Sequence, residues 1–268
     1  MSRIEQRWFE FRHMDELSAG NSLVHQLHPG VKLLATLVFV IVTASFPKYE
    51  IAAMVPLLLY PLFLIGLADL PWGLLLRRLL LGLPFAVFIG VFNPLFDQTP
   101  LYQIGAVTLS GGMVSFFSIL LRFSLSVLAA LALIATTSIN ALGAALQAFG
   151  VPRALVNQIL LMYRYLHVLM EEVGRTLRAH SLRSPEREAV RIGTWGSLTG
   201  LLLLRTLDRA QRVYQAMLCR GFDGEVRLMR SSNLRFNDGI FLLLWLCFFV
   251  IIRIFNFPQW LGALLMGR

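Results

Sequence analysis

Five apolar blocks, each near the length that crosses a bilayer, constrain this chain more than any motif in it. They run from Val31 to Phe46, Ile51 to Ala68, Leu79 to about Phe96, Met113 to about Thr136 and Ile240 to Phe257. A helix needs ~20 mostly apolar residues to cross ~30 Å of hydrocarbon. Helices are the expected spanning form, because backbone polar groups in lipid must be paired within the segment. The alternating pattern of an outer-membrane barrel is absent from these blocks. Hydrophobic residues make up 57% of the chain, charged residues 15%, and the mean hydropathy is +0.68. A soluble domain of this size needs more polar surface than that to cover its core. The predicted fold class is therefore an all-α integral membrane protein, with about five transmembrane helices, range four to six.

Charge divides the chain along its length. The formal net charge is +9, and Lys32 and Lys48 are its only lysines, so the excess is carried by arginine. From Gly150 to Arg235 there are 14 arginines and 7 acids. The positive-inside bias assigns this insertion to the cytoplasm, and Arg77-Arg78, two crossings earlier, falls on the same side. The polar residues 1–29 form a cytoplasmic lead-in without the pattern of a cleavable signal. The expected organisation is 1–136, the lead-in and first four crossings; 137–237, the cytoplasmic helical section; and 238–268, a last crossing and tail. Five crossings leave the C-terminus outside, unless Trp260 to Met266 dips back. Pro56, Pro61 and Pro84 predict kinks within the blocks, and Asp69 to Arg78 reads as a short loop.

The insertion is helical by pattern. Leu155, Ile159, Met162, Leu166, Leu169, Val173 and Leu177 recur at steps of three and four, which makes one apolar stripe. Val151 to Arg183 as a single helix spans ~50 Å. Pro152 fits its first turn, and Ser184-Pro185 fits its end. A second helix is expected from about Pro185 or Gly193 to Arg220, with Gly221 as a left-handed C-terminal cap. Gly193, Gly196 and Gly200 predict close packing of that helix against another.

Each of these two helices ends on an arginine. The segments are Arg178-Ala179-His180-Ser181-Leu182-Arg183-Ser184 and Ala216-Met217-Leu218-Cys219-Arg220-Gly221-Phe222. From the residues alone two readings stand. One is a plain C-terminal charge favoured by the helix dipole. The other is a protruding guanidinium that forks onto carboxylates or carbonyls of a partner.

Taken together, these features resemble a known family. Leu27-His28-Pro29-Gly30-Val31-Lys32-Leu33-Leu34, Gly150-Val151-Pro152, Met162-Tyr163-Arg164-Tyr165 and the two arginine segments resemble the transmembrane coupling subunits (T components) of energy-coupling-factor transporters. The nearest branch is the CbiQ type that serves cobalt uptake, and the similarity covers nearly the whole chain. The resemblance implies that two X-Arg-X motifs end two cytoplasmic coupling helices and dock into grooves on paired ATPase subunits. Here they match Leu182-Arg183-Ser184 and Cys219-Arg220-Gly221. The family's usual first residue, Ala, is absent from both, so packing at that position differs. The implied function is a coupling subunit of an ABC-type importer in the cell (inner) membrane, with cobalt(II) as the expected cargo. A nickel or vitamin system is the alternative, as is a permease that binds its own substrate. The implied partners are a pair of ABC-type ATPases, a CbiM-like substrate-binding membrane subunit and a small accessory membrane subunit. No catalytic residue, metal site or cofactor is expected in this chain; ATP and Mg belong to the ATPases.

Other groups are weaker candidates. His25 and His28 lack an acid or Cys at ligand spacing. Cys219 and Cys247 lie in unlike settings and read as free thiols. Arg122 lies within a membrane block and needs a partner, from Asp97 or a neighbouring subunit. Arg253 reads as snorkelling to an interface. Glu171-Glu172 read as a solvated face or a contact to the ATPase, since no nucleophile accompanies them. The rival of an intramembrane enzyme lacks gathered ionisable groups, a permease lacks internal repeats, and the chain carries no phosphate-binding loop of its own.

Overall fold

The computed structural model describes residues 17, 18, 20, 22–96, 100–104, 107–183, 192–224 and 234–254. They divide into two compact units, one within Asp15–Ser138 and Ser232–Arg268, the other within Ile139–Ser231.

The first unit is a bundle of apolar helices. After a single turn, α1 (Leu23–Gln26), comes α2 (Pro29–Ser45). Pro29 occupies the first helical position of α2, where a missing N–H costs nothing. The His28 ring accepts from the Gly30 N–H at 3.1 Å. Next are α3 (Ile51–Met54), a 3-10 turn (Val55–Leu58) and α4 (Leu59–Leu67). The 3-10 turn falls on Pro56, which cannot donate the bond that would continue the α-helix, so the expected kink is here. α4 closes on Asp69, whose φ of 50° is left-handed. The Leu70 N–H returns to the Ile65 carbonyl at 3.2 Å, and Asp is one of the few non-glycine residues that enters this region readily.

α5 (Trp72–Gly90) starts earlier than expected. Arg77 and Arg78, read from sequence as loop residues, therefore lie within a helix, because an arginine sustains helical backbone nearly as well as a leucine. After α6 (Phe92–Phe96), the strands β1 (Pro100–Ile104) and β2 (Val107–Ser110) form an antiparallel hairpin that pairs Ile104 with Val107. This hairpin was not anticipated; the fold is otherwise helical. The Ser110 hydroxyl then caps α7 (Gly111–Thr136) by accepting from the Met113 N–H.

α7 packs against α2, α4, α5 and α6. Its buried face is made of Ser115, Ser118, Leu125, Leu128, Ala129, Ala132 and Ala135. Small residues let helices approach closely in lipid, where no hydrophobic effect drives them together. Two glycines of α5 complete the fit. A methyl on Gly82 would come within 2.7 Å of the Phe123 ring, and one on Gly90 within 2.7 Å of the Phe116 ring. The last helix, α11 (Phe236–Ile254), packs on α2. Between them Phe39, Tyr60, Trp245 and Phe249 form an aromatic core with ring centroids 4.8–5.8 Å apart. The Tyr60 hydroxyl shares a 2.8 Å hydrogen bond with the Thr36 hydroxyl, so the phenol tip in that core is partnered.

By length and composition, α7, α11 and the stretch Trp72–Pro94 suffice to cross a membrane; Pro29–Ser45 and Ile51–Leu67 are shorter apolar segments. These five segments correspond to the five apolar blocks, and their outward faces are large apolar side chains such as Leu81, Phe85, Phe88, Leu243 and Val250. Trp260–Met266, considered as a return into the membrane, lies outside the described residues.

Among the described residues the second unit is a set of three helices. α8 (Ile139–Ala148) turns at Gly150, whose φ of 84° suits only glycine comfortably. α9 (Arg153–Arg183) follows, a 31-residue helix about 47 Å long. α10 (Ile192–Cys219) has 28 residues. α8 packs on α9 through a close approach, since a methyl on Gly143 would come within 2.9 Å of Leu160. The face of α9 that is buried is Val156, Asn157 and Leu160. Of the stripe picked out by periodicity, Leu155, Ile159, Met162 and Leu166 are exposed, Met162 by 63%, while Leu169, Val173 and Leu177 are half-buried. The close packing expected at Gly193, Gly196 and Gly200 is not made either: a methyl at any of them would meet nothing within 4 Å among the described residues. Both surfaces have the composition of contact faces, and the described residues leave the glycine face and the first half of the stripe uncovered.

Candidate functional site

The arginine tips are built by the ends of α9 and α10. Arg183 is the last residue of α9 and is exposed, and Leu182 before it is 82% exposed. Ser184, the third residue of that motif, lies outside the described residues. Cys219 ends α10 as an exposed free thiol, and exposed Arg220 follows it in the turn. Gly221 has a φ of 78°, and the Phe222 N–H returns to the Met217 carbonyl at 3.0 Å. This is the left-handed cap expected there, and it stops the helix at once after Arg220. Both cations stand at the negative ends of long helix dipoles, which stabilises each guanidinium before any partner arrives.

Between α9 and α10 runs a groove of about 850 Å³, walled by apolar side chains including Leu161, Tyr165, Leu169, Val213 and Met217. Two polar contacts bracket it. Asn157 Nδ2 donates to the Gly224 carbonyl at 2.6 Å. Arg205 Nη1 donates to Glu172 Oε1 at 2.9 Å. Glu172, expected on a solvated or partner-facing surface, is thus a tie between the two helices. Glu171 instead pairs with Arg175 one turn on, at 3.3 Å in the open, a contact of ~0.3–0.5 kcal/mol at most.

The two membrane arginines also have partners within the chain. Arg122 of α7 donates from Nη2 to the carbonyls of Phe46 and Pro47 at 2.7 and 2.9 Å. Asp97, suggested as its partner, lies outside the described residues, and no neighbouring subunit is needed for those two bonds. Arg253 of α11 donates to the Ser45 carbonyl at 3.3 Å and lies over the Phe46 ring at 5.1 Å. Arginines from two helices therefore satisfy carbonyls at and just beyond the C-terminus of α2. His25 is tied locally, to the Ser22 hydroxyl at 2.7 Å and the Leu17 carbonyl at 2.9 Å.

A second charged cluster, at the other end of α2, was missed from sequence. Lys32 is 3% exposed, and its ammonium donates to the Thr136 carbonyl at 2.8 Å. Asp238 is 2% exposed; its Oδ1 accepts from the His28 N–H and its Oδ2 from the Arg235 N–H, both at 2.8 Å. The carboxylate's charge also acts on the Lys32 ammonium. The placement follows helix electrostatics: the carboxylate serves the positive ends of α2 and α11, the ammonium the negative end of α7. The available signal was a lysine at the very start of one apolar block and an aspartate two residues before another.

A family model for the cobalt transport protein CbiQ matches residues 20–232, which includes both arginine tips and Lys32. This chain belongs to the CbiQ family. Among its relatives, the energy-coupling factor transporter transmembrane protein EcfT of Streptococcus equi subsp. equi is 27% identical over 220 residues, covering 76% of this chain and 81% of that one. EcfT of Streptococcus thermophilus is 26% identical over 233 residues, covering 81% and 88%. An uncharacterized protein of Methanocaldococcus jannaschii is 22% identical over 247 residues, covering 88% and 84%. The CbiQ-family chain is thus a membrane component of the transporter class it resembled by sequence, and its apolar helices agree with that assignment.

Proposed function

We propose that this CbiQ-family chain is the coupling subunit of an energy-coupling-factor importer in the cell membrane, with cobalt(II) as cargo. The observation that carries the reading is the pair of long helices, α9 and α10, each of which ends on an exposed arginine in a chain anchored by apolar helices. Arg183 and Arg220 dock on two separate ATPase subunits, which bind ATP and Mg and supply the catalysis. A guanidinium suits that task, since its planar fork engages carboxylates or carbonyls in two directions and it stays charged throughout. The uncovered stripe of α9 and the open glycine face of α10 are where the other subunits bear on the helices. The substrate-binding membrane subunit is separate and CbiM-like, and it carries the metal. A nickel or vitamin importer is served equally well by the same coupling parts, because the coupling subunit does not touch the cargo. The helical insertion is cytoplasmic, where its arginine excess favours it, and the N-terminus lies on the same side, an even number of crossings away.

The test is co-purification in mild detergent from native membranes. Wild type brings ATP-binding-cassette ATPases with it, and Arg183→Glu/Arg220→Glu loses them while remaining membrane-inserted. A double variant that keeps its ATPases and drives normal uptake refutes the docking role.

A further inference from the structure

Helices α2, α7 and α11 of the membrane unit share two polar layers, and the layers lie close together. In the first, Lys32 of α2 holds the Thr136 carbonyl of α7, and Asp238 of α11 holds the N–H of His28, the residue that caps α2. In the second, Arg122 of α7 donates to the carbonyls of Phe46 and Pro47, and Arg253 of α11 to the Ser45 carbonyl. Lys32 to Phe46, Arg122 to Thr136 and Asp238 to Arg253 are each about 14 or 15 residues, or 21–22 Å of helix. The hydrocarbon of a bilayer is ~30 Å thick. The first layer marks one interface, since α2 and α11 begin there and α7 ends there. The arginine layer then falls about 8 Å short of the other interface. So short an apolar span is accommodated by thinning of the bilayer around it or by headgroups that reach inward.

The second layer is cationic. Arg253 is exposed and Arg122 half-buried. Among the described residues neither makes an ion pair, and the carbonyls that hold them carry no net charge. Lys48 and Glu50, in the loop between α2 and α3, are of opposite sign, so the two guanidiniums set the balance there. Every one of these carbonyl bonds leaves from Nη2, so each guanidinium keeps donors for a further acceptor. Three consecutive carbonyls, Ser45 to Pro47, bring the two side by side. A charge at this depth needs a partner, and a guanidinium fork matches phosphate oxygens in geometry and in sign. We infer that Arg122 and Arg253 form a binding site for the phosphate of an anionic phospholipid, in the leaflet that surrounds the C-terminal end of α2. Exposed Ile41 and Val250, one turn below the arginines on α2 and α11, meet its acyl chains. The site needs only the membrane bundle and is independent of the coupling role proposed above.

Native mass spectrometry of the full-length chain in mild detergent tests this, with phosphatidylglycerol, phosphatidylcholine and inorganic phosphate as probes. Wild type should retain phosphatidylglycerol about tenfold more tightly than phosphatidylcholine, whose choline offsets its own phosphate. Arg122→Gln/Arg253→Gln should melt cooperatively and lose that preference. Arg253→Gln alone gives up one long bond within the chain; it should weaken phosphatidylglycerol retention severalfold, and it carries the test if the double variant does not fold. Arg77→Gln/Arg78→Gln removes the same charge from α5 and should leave the preference intact. Unchanged retention in the Arg122 and Arg253 variants overturns the site. Equal loss in the α5 variant overturns it as well, since overall charge would then explain the binding. Inorganic phosphate that displaces phosphatidylglycerol at equal concentration would show a free-anion site and overturn the lipid assignment.

Discussion

Single residues in this bundle matter most where they finish a helix end. Among the described residues Arg122 has no acid beside it, yet its two bonds satisfy the carbonyls of Phe46 and Pro47. The bond to Phe46 is part-buried and its donor is charged, so it contributes more than an exposed neutral one. Arg122→Leu should lower stability in detergent by about 1–3 kcal/mol, read as a drop in melting temperature. Tyr60→Phe removes only the hydroxyl bonded to Thr36 and leaves the stacked ring, so its cost should be about 1 kcal/mol. An equal loss for Tyr60→Phe and Tyr60→Ala would show that the ring packing contributes nothing. Sequence identified Arg122 as a residue in need of a partner but not the partner itself, because backbone carbonyls are anonymous in a sequence. Lys32 and Asp238 escaped notice for a related reason: each is one charge at the edge of an apolar block, and only their meeting at three helix termini gives them a role.

At the scale of elements, the glycines divide into two groups that sequence does not separate. Gly82 of α5 lies against the Phe123 ring with no room for a methyl. Gly82→Ala should therefore destabilise the bundle by about 1–3 kcal/mol through overpacking. Gly196 of α10 has open space around it, so Gly196→Ala should stabilise the isolated chain by up to about 1 kcal/mol through helix propensity. If another subunit packs on that face, the same variant should assemble less well than wild type. Thermal melting of the isolated chain and recovery of the complex separate the two effects. Gly221 differs again: its φ of 78° means that alanine there strains the stop that presents Arg220. Local chemistry alone was enough to place this cap and the break at Pro56. The start of α5 was not legible, since Arg77 and Arg78 look like a loop by hydropathy but are good helix formers by propensity.

For the whole molecule, the division into a membrane bundle and a helical insertion makes a topological prediction. Cys219 and Cys247 are both exposed on the protein surface, but Cys247 lies within apolar α11 and faces lipid if that helix spans the membrane. A membrane-impermeant maleimide should label Cys219 in inside-out vesicles and not in intact cells, and should label Cys247 in neither. Labelling of Cys219 from outside intact cells would reverse the proposed orientation and remove the docking reading with it.

The number and order of the apolar blocks, the two long helices and their arginine ends were determined by the sequence itself. Each depends on properties that act within one segment: hydropathy over about 20 residues, a periodic apolar stripe, a proline at a start or a glycine at a stop. The tertiary structure alone decided which face each helix buries and which charges meet. Leu155, Ile159, Met162 and Leu166 of the α9 stripe are exposed while Val156 and Leu160 are buried, and Glu172 reaches across to Arg205. Lys32, Thr136 and Asp238 come together from positions far apart in the chain. Such pairings depend on the relative rotation and depth of separate helices, and no local pattern of residues encodes them.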